Sequence, residues 1–305
     1  MSELHVIHHL DSSVTVRDGG IDLFTYVYQP DTAALESPKP YLHPVRTRRG
    51  DVVSLFRPHD HVWHKGIAWA LPVVDNENFW GGPTYVHGQF YVQLPNNGVQ
   101  QHEGSLELGR QDGSVSLAHD LRWITEAGDV IMTERRSLTA HLVSDSAWAL
   151  IFDTQLTNVC SQPISIGSPT TRGRENAGYG GLFWRGPRSF TGGTLVTPGA
   201  SGAGDDVRGQ RHEWMGFVGR HDDVDASSLV LMVDDAANPH HPPQWFARSE
   251  EFAALNPAPF FSEELVIPVG ETARFRYAIG IADGDESDAA SLAGVLRNVL
   301  QPVAV

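Results

Sequence analysis

The sequence predicts an all-β protein in which two large antiparallel sheets pack face to face, with a single C-terminal helix. Period-two alternation of apolar and polar residues recurs along most of the 305 residues. The 30 glycines and 19 prolines cluster between the alternating runs, where turns are needed. Helical periodicity is clear only near the C-terminus. Roughly 15 short strands and one helix leave face-to-face sheets as the way to bury the apolar surface.

In chain order the strand candidates are Ile21–Tyr28, Val52–Phe56, Gln89–Leu94, Val115–Thr125, Val130–Leu142, Ala147–Leu156, Ser228–Val233 and Thr272–Ala282. Val115, Leu117, Leu121 and Trp123 share one side of theirs; Glu134 and Arg136 fall among the apolar residues of theirs. In the last strand Ala273, Phe275, Tyr277, Ile279 and Ile281 form one face, opposite Thr272, Arg274 and Arg276. Turn clusters stand at Arg17–Gly20, Pro95–Gly98, Gln111–Gly113 and Glu126–Asp129, the last three as hairpin connections. Gly192–Gly209, rich in Gly, Ser and Asp, reads as a long surface loop. From Glu286 to Gln301, Leu292, Val295, Leu296, Val299 and Leu300 make one helical stripe, with Asp285 or Ser287 as its cap. No shift of composition divides the chain, so one domain over residues 1–305 is expected.

Lys plus Arg number 22 against 37 Asp plus Glu, a net charge of −15. Such a chain is a poor ligand for nucleic acid or an anionic membrane. The single cysteine, Cys160, permits neither an intrachain disulfide nor a cysteine-based zinc site. Met1–His5 lacks the basic stretch and apolar core of a signal peptide. The longest apolar run, Gly66–Val74, is about half a spanning helix and contains Pro72. A soluble cytoplasmic protein is expected, with homo-oligomers left open.

Three segments concentrate chemistry. The first, Arg57–Gly66, holds His59, Asp60, His61, Trp63 and His64. In an extended chain His59 and His61 share a face, and His64 joins them only if the chain turns before Lys65. Two chemistries fit: a divalent metal such as Zn²⁺ or Mn²⁺ on His59, His61 and His64, or acid/base work by one or two of these imidazoles with no cofactor. A well-paired polar strand end is the plain alternative. His43, in Tyr41–Arg46, is a further candidate. The second segment, Arg172–Arg185, sets Glu175 between arginines and glycines around Tyr179. There Glu175 is either a carboxylate held ionised, able to act as a base, or a surface ion pair. In the third, Asn238–Arg248, Trp245 suits stacking on a sugar face and Arg248 suits clamping an oxygen-rich or anionic ligand. Surface packing accounts for that pair equally well. No nucleophile elbow, phosphate loop, kinase or dinucleotide signature is present.

Taken in order, these segments resemble the PmoA-like family of soluble bacterial proteins, long without a known function. The motifs that carry the resemblance are Pro40-Tyr41 with His43-Pro44, Thr47 and Gly50; Asp60-His61 with His64-Lys65-Gly66; Phe79-Trp80; Gly178 to Leu182 with Trp184-Arg185; and Asn238-Pro239 with Pro243, Trp245 and Arg248. The family label evokes an integral methane monooxygenase subunit, which a chain without a spanning segment cannot be. The family is similar to the galactose-mutarotase-like supersandwich, many members of which bind sugars in a cleft. The resemblance implies a carbohydrate substrate, or a sugar-derived metabolite, and chemistry by proton transfer: epimerisation, elimination, hydration or hydrolysis. It places His61 and His64 in acid/base work with Glu175 as partner carboxylate. Arg185 and Arg248 would neutralise charge, Trp184 and Trp245 would line the sugar face, and His43 would complete the cleft. A His-ligated metalloenzyme and a non-catalytic sugar-binding protein are the rival readings.

Overall fold

The computed structural model describes residues 3–111 and 113–301. The chain opens with β1 (Leu4–His9), β2 (Ser13–Asp18), β3 (Ile21–Val27), β4 (Tyr41–Val45) and β5 (Ile67–Ala70). The short β6 (Val73–Val74) and a ribbon of β7 (Thr84–Val86) and β8 (Phe90–Val92) follow. Four long strands come next, β9 (Val99–Gln111), β10 (Ser114–Ile124), β11 (Val130–Ser144) and β12 (Ala147–Asn158). Then come β13 (Ile164–Gly167), β14 (Gly181–Arg185), β15 (Thr194–Thr197), β16 (Ala200–Gly202) and one helical turn, α1 (Gly204–Val207). The chain ends with β17 (Trp214–Arg220), β18 (Ser227–Asp234), β19 (Gln244–Arg248), β20 (Ala254–Ala258), β21 (Leu265–Ile267), β22 (Thr272–Asp283) and α2 (Ala289–Leu300).

Most of these strands form an antiparallel two-sheet sandwich, as predicted, with β21-β13-β6 and β7-β8 as two smaller sheets. One sheet has eight strands in the order β1-β2-β3-β4-β5-β14-β20-β19; the other has nine, β16-β15-β17-β18-β22-β12-β11-β10-β9. Between them lies a core that draws on both, with Trp69, Trp123, Trp148, Trp184 and Trp245 all fully buried. Four of those indoles find an acceptor for their N–H: Trp123 on Glu134, Trp148 on the Arg46 carbonyl, Trp184 on the Val53 carbonyl and Trp245 on the His212 carbonyl. Helix α2 packs on the outer face of the nine-stranded sheet, where Leu292 and Leu296 lie so close to Gly280 that a Cβ there would meet them at about 3 Å.

Several expectations need correction. Val52–Phe56 is no strand: it makes only isolated bridges, Arg46 to Val52 and Phe56 to Lys65. Pro95–Gly98 is no hairpin turn, because β8 pairs with β7 whereas β9 pairs with β10. Gly192–Gly209 is not a structureless loop. Thr194–Thr197 turns at Pro198-Gly199 and pairs with Ala200–Gly202, and Leu195 is fully buried. In α2 the buried stripe is Ala289, Leu292, Ala293, Leu296 and Leu300, while Val295 is exposed. Small alanines let the helix approach the sheet, which turns the stripe away from Val295. Asp285 does cap, accepting from the Ser287 amide before α2 begins. The Glu126–Asp129 hairpin turn is present, and Gln111–Gly113 joins β9 to β10, with Asp112 outside the described residues. No helix among the described residues is long and apolar enough to cross a membrane.

Candidate functional site

On the eight-stranded sheet, alternate side chains point away from the main core. Trp69, Leu182, Trp184, Trp245 and Leu255 face inward; Ala70, Phe183, Phe246 and Ala254 face the other way and form separate apolar clusters. Over that outer face lies a cleft of about 380 Å³, roofed by the His61–His64 loop, Trp80–Pro83, the β7–β8 ribbon and the Arg174–Tyr179 loop. That volume lies within the ~300–1,000 Å³ range of small-molecule sites.

The imidazoles arrive by tight turns. The His61 amide donates to the Pro58 carbonyl and the His64 amide to the His61 carbonyl, each at 2.9 Å. The segment is therefore coiled, with Arg57 at φ +48°, and the chain does turn before Lys65, the condition for His64 to join His61. Coiling stacks the His61 and His64 rings at 4.8 Å with planes 21° apart. It also sends His59 away, to meet Arg188 at 3.1 Å. The three rings do not converge, and among the described residues no group of three His, Cys, Asp or Glu is placed to hold a metal ion.

Beneath the loop sits a buried charge network. The Glu36 carboxylate takes hydrogen bonds from Arg57 (2.6–3.1 Å) and from the Lys65 ammonium. Burial alone would raise Glu36, yet these cations hold it below the usual carboxylate value. The buried Lys39 ammonium donates to the carbonyls of Glu36, Ser37 and Trp80 at 2.8–3.0 Å. The network therefore links the histidine loop, through Glu36, to the segment that places Trp80. Gly81 and Gly82, at φ +101° and +70°, let Trp63 lie on bare backbone; a Cβ at either would stand 2.7 Å from it.

His64 is 4% exposed, and its Nδ1 has no hydrogen-bond partner. Burial, reinforced by the charges of Arg185, His61, Lys39 and Arg248, pulls its pKa well below the usual histidine value, so the ring is neutral at pH 7. It packs against Phe183 at 4.8 Å, Trp80 at 5.7 Å and Phe252 at 5.8 Å. His61 is partly exposed, and its Nδ1 faces Asp60 Oδ2 at 3.1 Å. Asp60 is lowered to about 2, since hydrogen bonds from His61 and Arg188 outweigh its burial. A carboxylate on Nδ1 favours the proton there and leaves Nε2 as an acceptor.

Trp63, Trp80, Tyr91, Tyr179, Phe183, Phe246 and Phe252 give the cleft aromatic walls. The Tyr179 hydroxyl meets that of Tyr91 at 2.8 Å, and Arg174 donates to Tyr91 Oη. Burial, then the neighbouring Tyr91, raises Tyr179 well above the ordinary phenol. Arg174 and Arg248 line the cleft, Arg248 paired with the exposed Glu251. Arg185 follows Phe183 on the same face of β14, 1% exposed, its guanidinium 3.6 Å from the Phe252 ring centre. Burial lowers Arg185 to about 10, which still leaves it charged at pH 7.

Of the residues expected from sequence, His61, His64 and Arg248 line the cleft, with Arg185 behind Phe252. Trp184 and Trp245 do not: both are fully buried in the inter-sheet core because their strand parity points them inward. His43 is also elsewhere, its Nδ1 on Ser54 Oγ at 2.8 Å and its ring stacked on Phe56; burial lowers it to about 4. Glu175 is exposed and outside the cleft lining, where its neighbour Arg174 stands instead. Asp60 is the acid on His61, and Glu251 is the one carboxylate in the described cleft lining. Trp80 and Tyr179 lay within the motifs, but nothing in the sequence singles out Tyr91 or Phe252.

A family model described as a family of unknown function (DUF6807) matches residues 13–297, and the chain belongs to that family. No curated protein matches it by sequence. Among solved structures, a Klebsiella pneumoniae protein provisionally assigned as an aldose 1-epimerase is similar at 10% identity and TM-score 0.44, over 100% of this chain and 88% of that one. A GalM/aldose epimerase homologue from C. elegans is similar at 9% identity and TM-score 0.34, over 93% and 100%.

Proposed function

We propose that the protein is a carbohydrate-active enzyme that acts on a sugar or oxidised sugar derivative by acid/base proton transfer in the cleft beside His61 and His64. The resemblance of the sequence motifs to the PmoA-like family, itself similar to the galactose-mutarotase-like supersandwich, supports this reading. The observation that supports it best is the stacked imidazole pair, one ring held by Asp60 and the other neutral and buried, inside aromatic walls that suit the apolar face of a pyranose. His61 Nε2 would accept a proton from carbon or water. Neutral His64 would hydrogen-bond the carbonyl or leaving oxygen, and the nearby arginines would stabilise the negative charge that develops there. Asp60 is a positioning residue for His61.

The test is to screen aldoses, uronates and 3-oxidised glycosides for stabilisation of the protein, then to follow turnover in deuterated water by NMR. H61A and H64A should each lower turnover by roughly 10²–10⁴-fold with the fold retained. Wild-type turnover in both variants would overturn the assignment. Stabilisation without any product or deuterium incorporation would favour a non-catalytic sugar-binding protein.

A further inference from the structure

The cleft is cationic in a molecule of net charge −15. Many arginines elsewhere are neutralised by acids: Arg135 by Glu107 and Asp120, Arg274 by Asp153, Arg136 by Glu134. Around the cleft they are held by rings. Arg174 lies over Tyr91 at 4.7 Å and Phe90 at 5.3 Å; Arg248 lies over Phe252 at 5.4 Å and Phe246 at 5.6 Å; Arg185 lies over Phe252 at 3.6 Å. Aromatic faces fix a guanidinium without cancelling its charge, although Arg174 also donates to Tyr91 Oη and Arg248 to Glu251. Among the described residues neither Arg174 nor Arg185 has an ion pair, and the one carboxylate lining the cleft, Glu251, is 71% exposed at its side chain. Arg185 Nε and Nη1 are buried with no partner at all. A buried, unpartnered cation is costly, and an anion held near it offsets part of that cost through its field.

We propose that the cleft recognises a sugar bearing an oxyanion, a carboxylate or a phosphate, which Arg174 and Arg248 bind directly while buried Arg185 adds its positive field behind Phe252. This rests on the reading of the cleft as a sugar site and names the class of sugar. The ring lies on the Trp80–Tyr179 wall, and the oxyanion displaces Glu251 from Arg248, a pair whose solvent exposure makes it weak. Arg is the residue suited to this task, since its planar fork matches either oxyanion in two hydrogen bonds.

Isothermal titration of the full chain with glucose, glucuronate, glucose 6-phosphate, galactose and galacturonate tests it. At least one acidic sugar should bind roughly tenfold or more tightly than its neutral counterpart, and high salt should weaken that preference. R174Q and R248Q should each lower affinity for the acidic sugar about 10- to 100-fold, with R135Q, outside the cleft, binding as the wild type does. The uronate and phosphate arms show which oxyanion is preferred. Equal affinity for neutral and acidic sugars would overturn this inference and leave the sugar site standing; so would acid binding untouched by both arginine substitutions. Binding of none of the five would overturn both.

Discussion

Arg136 and Arg185 are equally hidden from solvent, at 0% and 1% exposure, yet their surroundings differ in kind. Arg136 lies between the sheets and donates to Glu134 at 2.6 and 2.9 Å and to Gln100 at 2.9 Å. Glu134 also accepts from Trp123 at 2.7 Å and Thr154 at 2.6 Å, so the buried pair is nearly saturated. Although burial works against its charge, Glu134 lifts Arg136 above the ordinary arginine value. Arg185 has no such carboxylate and is lowered to about 10, burial being the main cause. One cation completes a core. The other is held charged and unsatisfied behind Phe252, where no carboxylate of the fold reaches it and its positive field extends toward the cleft.

That contrast can be broken most sharply by stability measurements. E134A leaves Arg136 uncompensated between the sheets and should cost about 3–5 kcal/mol in a denaturant titration. R185M removes an unpaired buried charge while keeping most of the side-chain volume. It should leave stability unchanged or raise it by about 1 kcal/mol, while weakening oxyanion binding. If R185M costs as much as E134A, the distinction between a structural and a functional arginine is lost.

A smaller effect sharpens the comparison for the histidines. His119, in the interior on Tyr26 and His102, is lowered to about 2 by burial and then by the Arg136 charge; His43 is lowered to about 4 and His64 well below the usual value. All three are neutral in the fold, whereas the unfolded chain protonates them near pH 6.5. Their stabilising contribution is therefore complete above pH 6.5 and is lost as pH falls towards each folded value, by about 1.4 kcal/mol per pH unit per histidine. His241, raised chiefly by its hydrogen bond to Asp234, works in the opposite direction. Melting from pH 7 to pH 4 should show falling stability, with a shallower slope in H119F. An unchanged slope would place the proton uptake elsewhere.

Most of the sandwich was legible because alternation reports a half-buried strand directly, as in Thr272–Ala282, where Phe275, Tyr277, Ile279 and Ile281 all reach the core. Alternation fails where both faces are apolar. In Phe183-Trp184 and Phe246-Ala247 around Trp245, nothing in one sequence says which parity faces the cleft, and the tryptophans go inward while each adjacent phenylalanine lines the site. The same parity explains why Arg185 and Arg248, two residues beyond those phenylalanines, lie on the cleft side. Gly192–Gly209 was misread because the short apolar run Leu195-Val196 is surrounded by turn residues. The His61–His64 coil depends on backbone turns, and the approach of Tyr91 and Phe252 depends on distant chain, so spacing alone could not supply either.

The central claim is that a sugar sits against His64 with its charge toward Arg174 and Arg248. A crystal structure of the protein with its tightest-binding sugar acid or phosphate tests it most directly. The sugar ring should lie on Trp80 and Tyr179, with a ring or exocyclic oxygen within hydrogen-bonding reach of the His61 and His64 rings and the oxyanion on Arg174 and Arg248. A ligand seated instead in the larger cavity beside Asp234, His241 and Arg276, with the aromatic cleft empty, would contradict it.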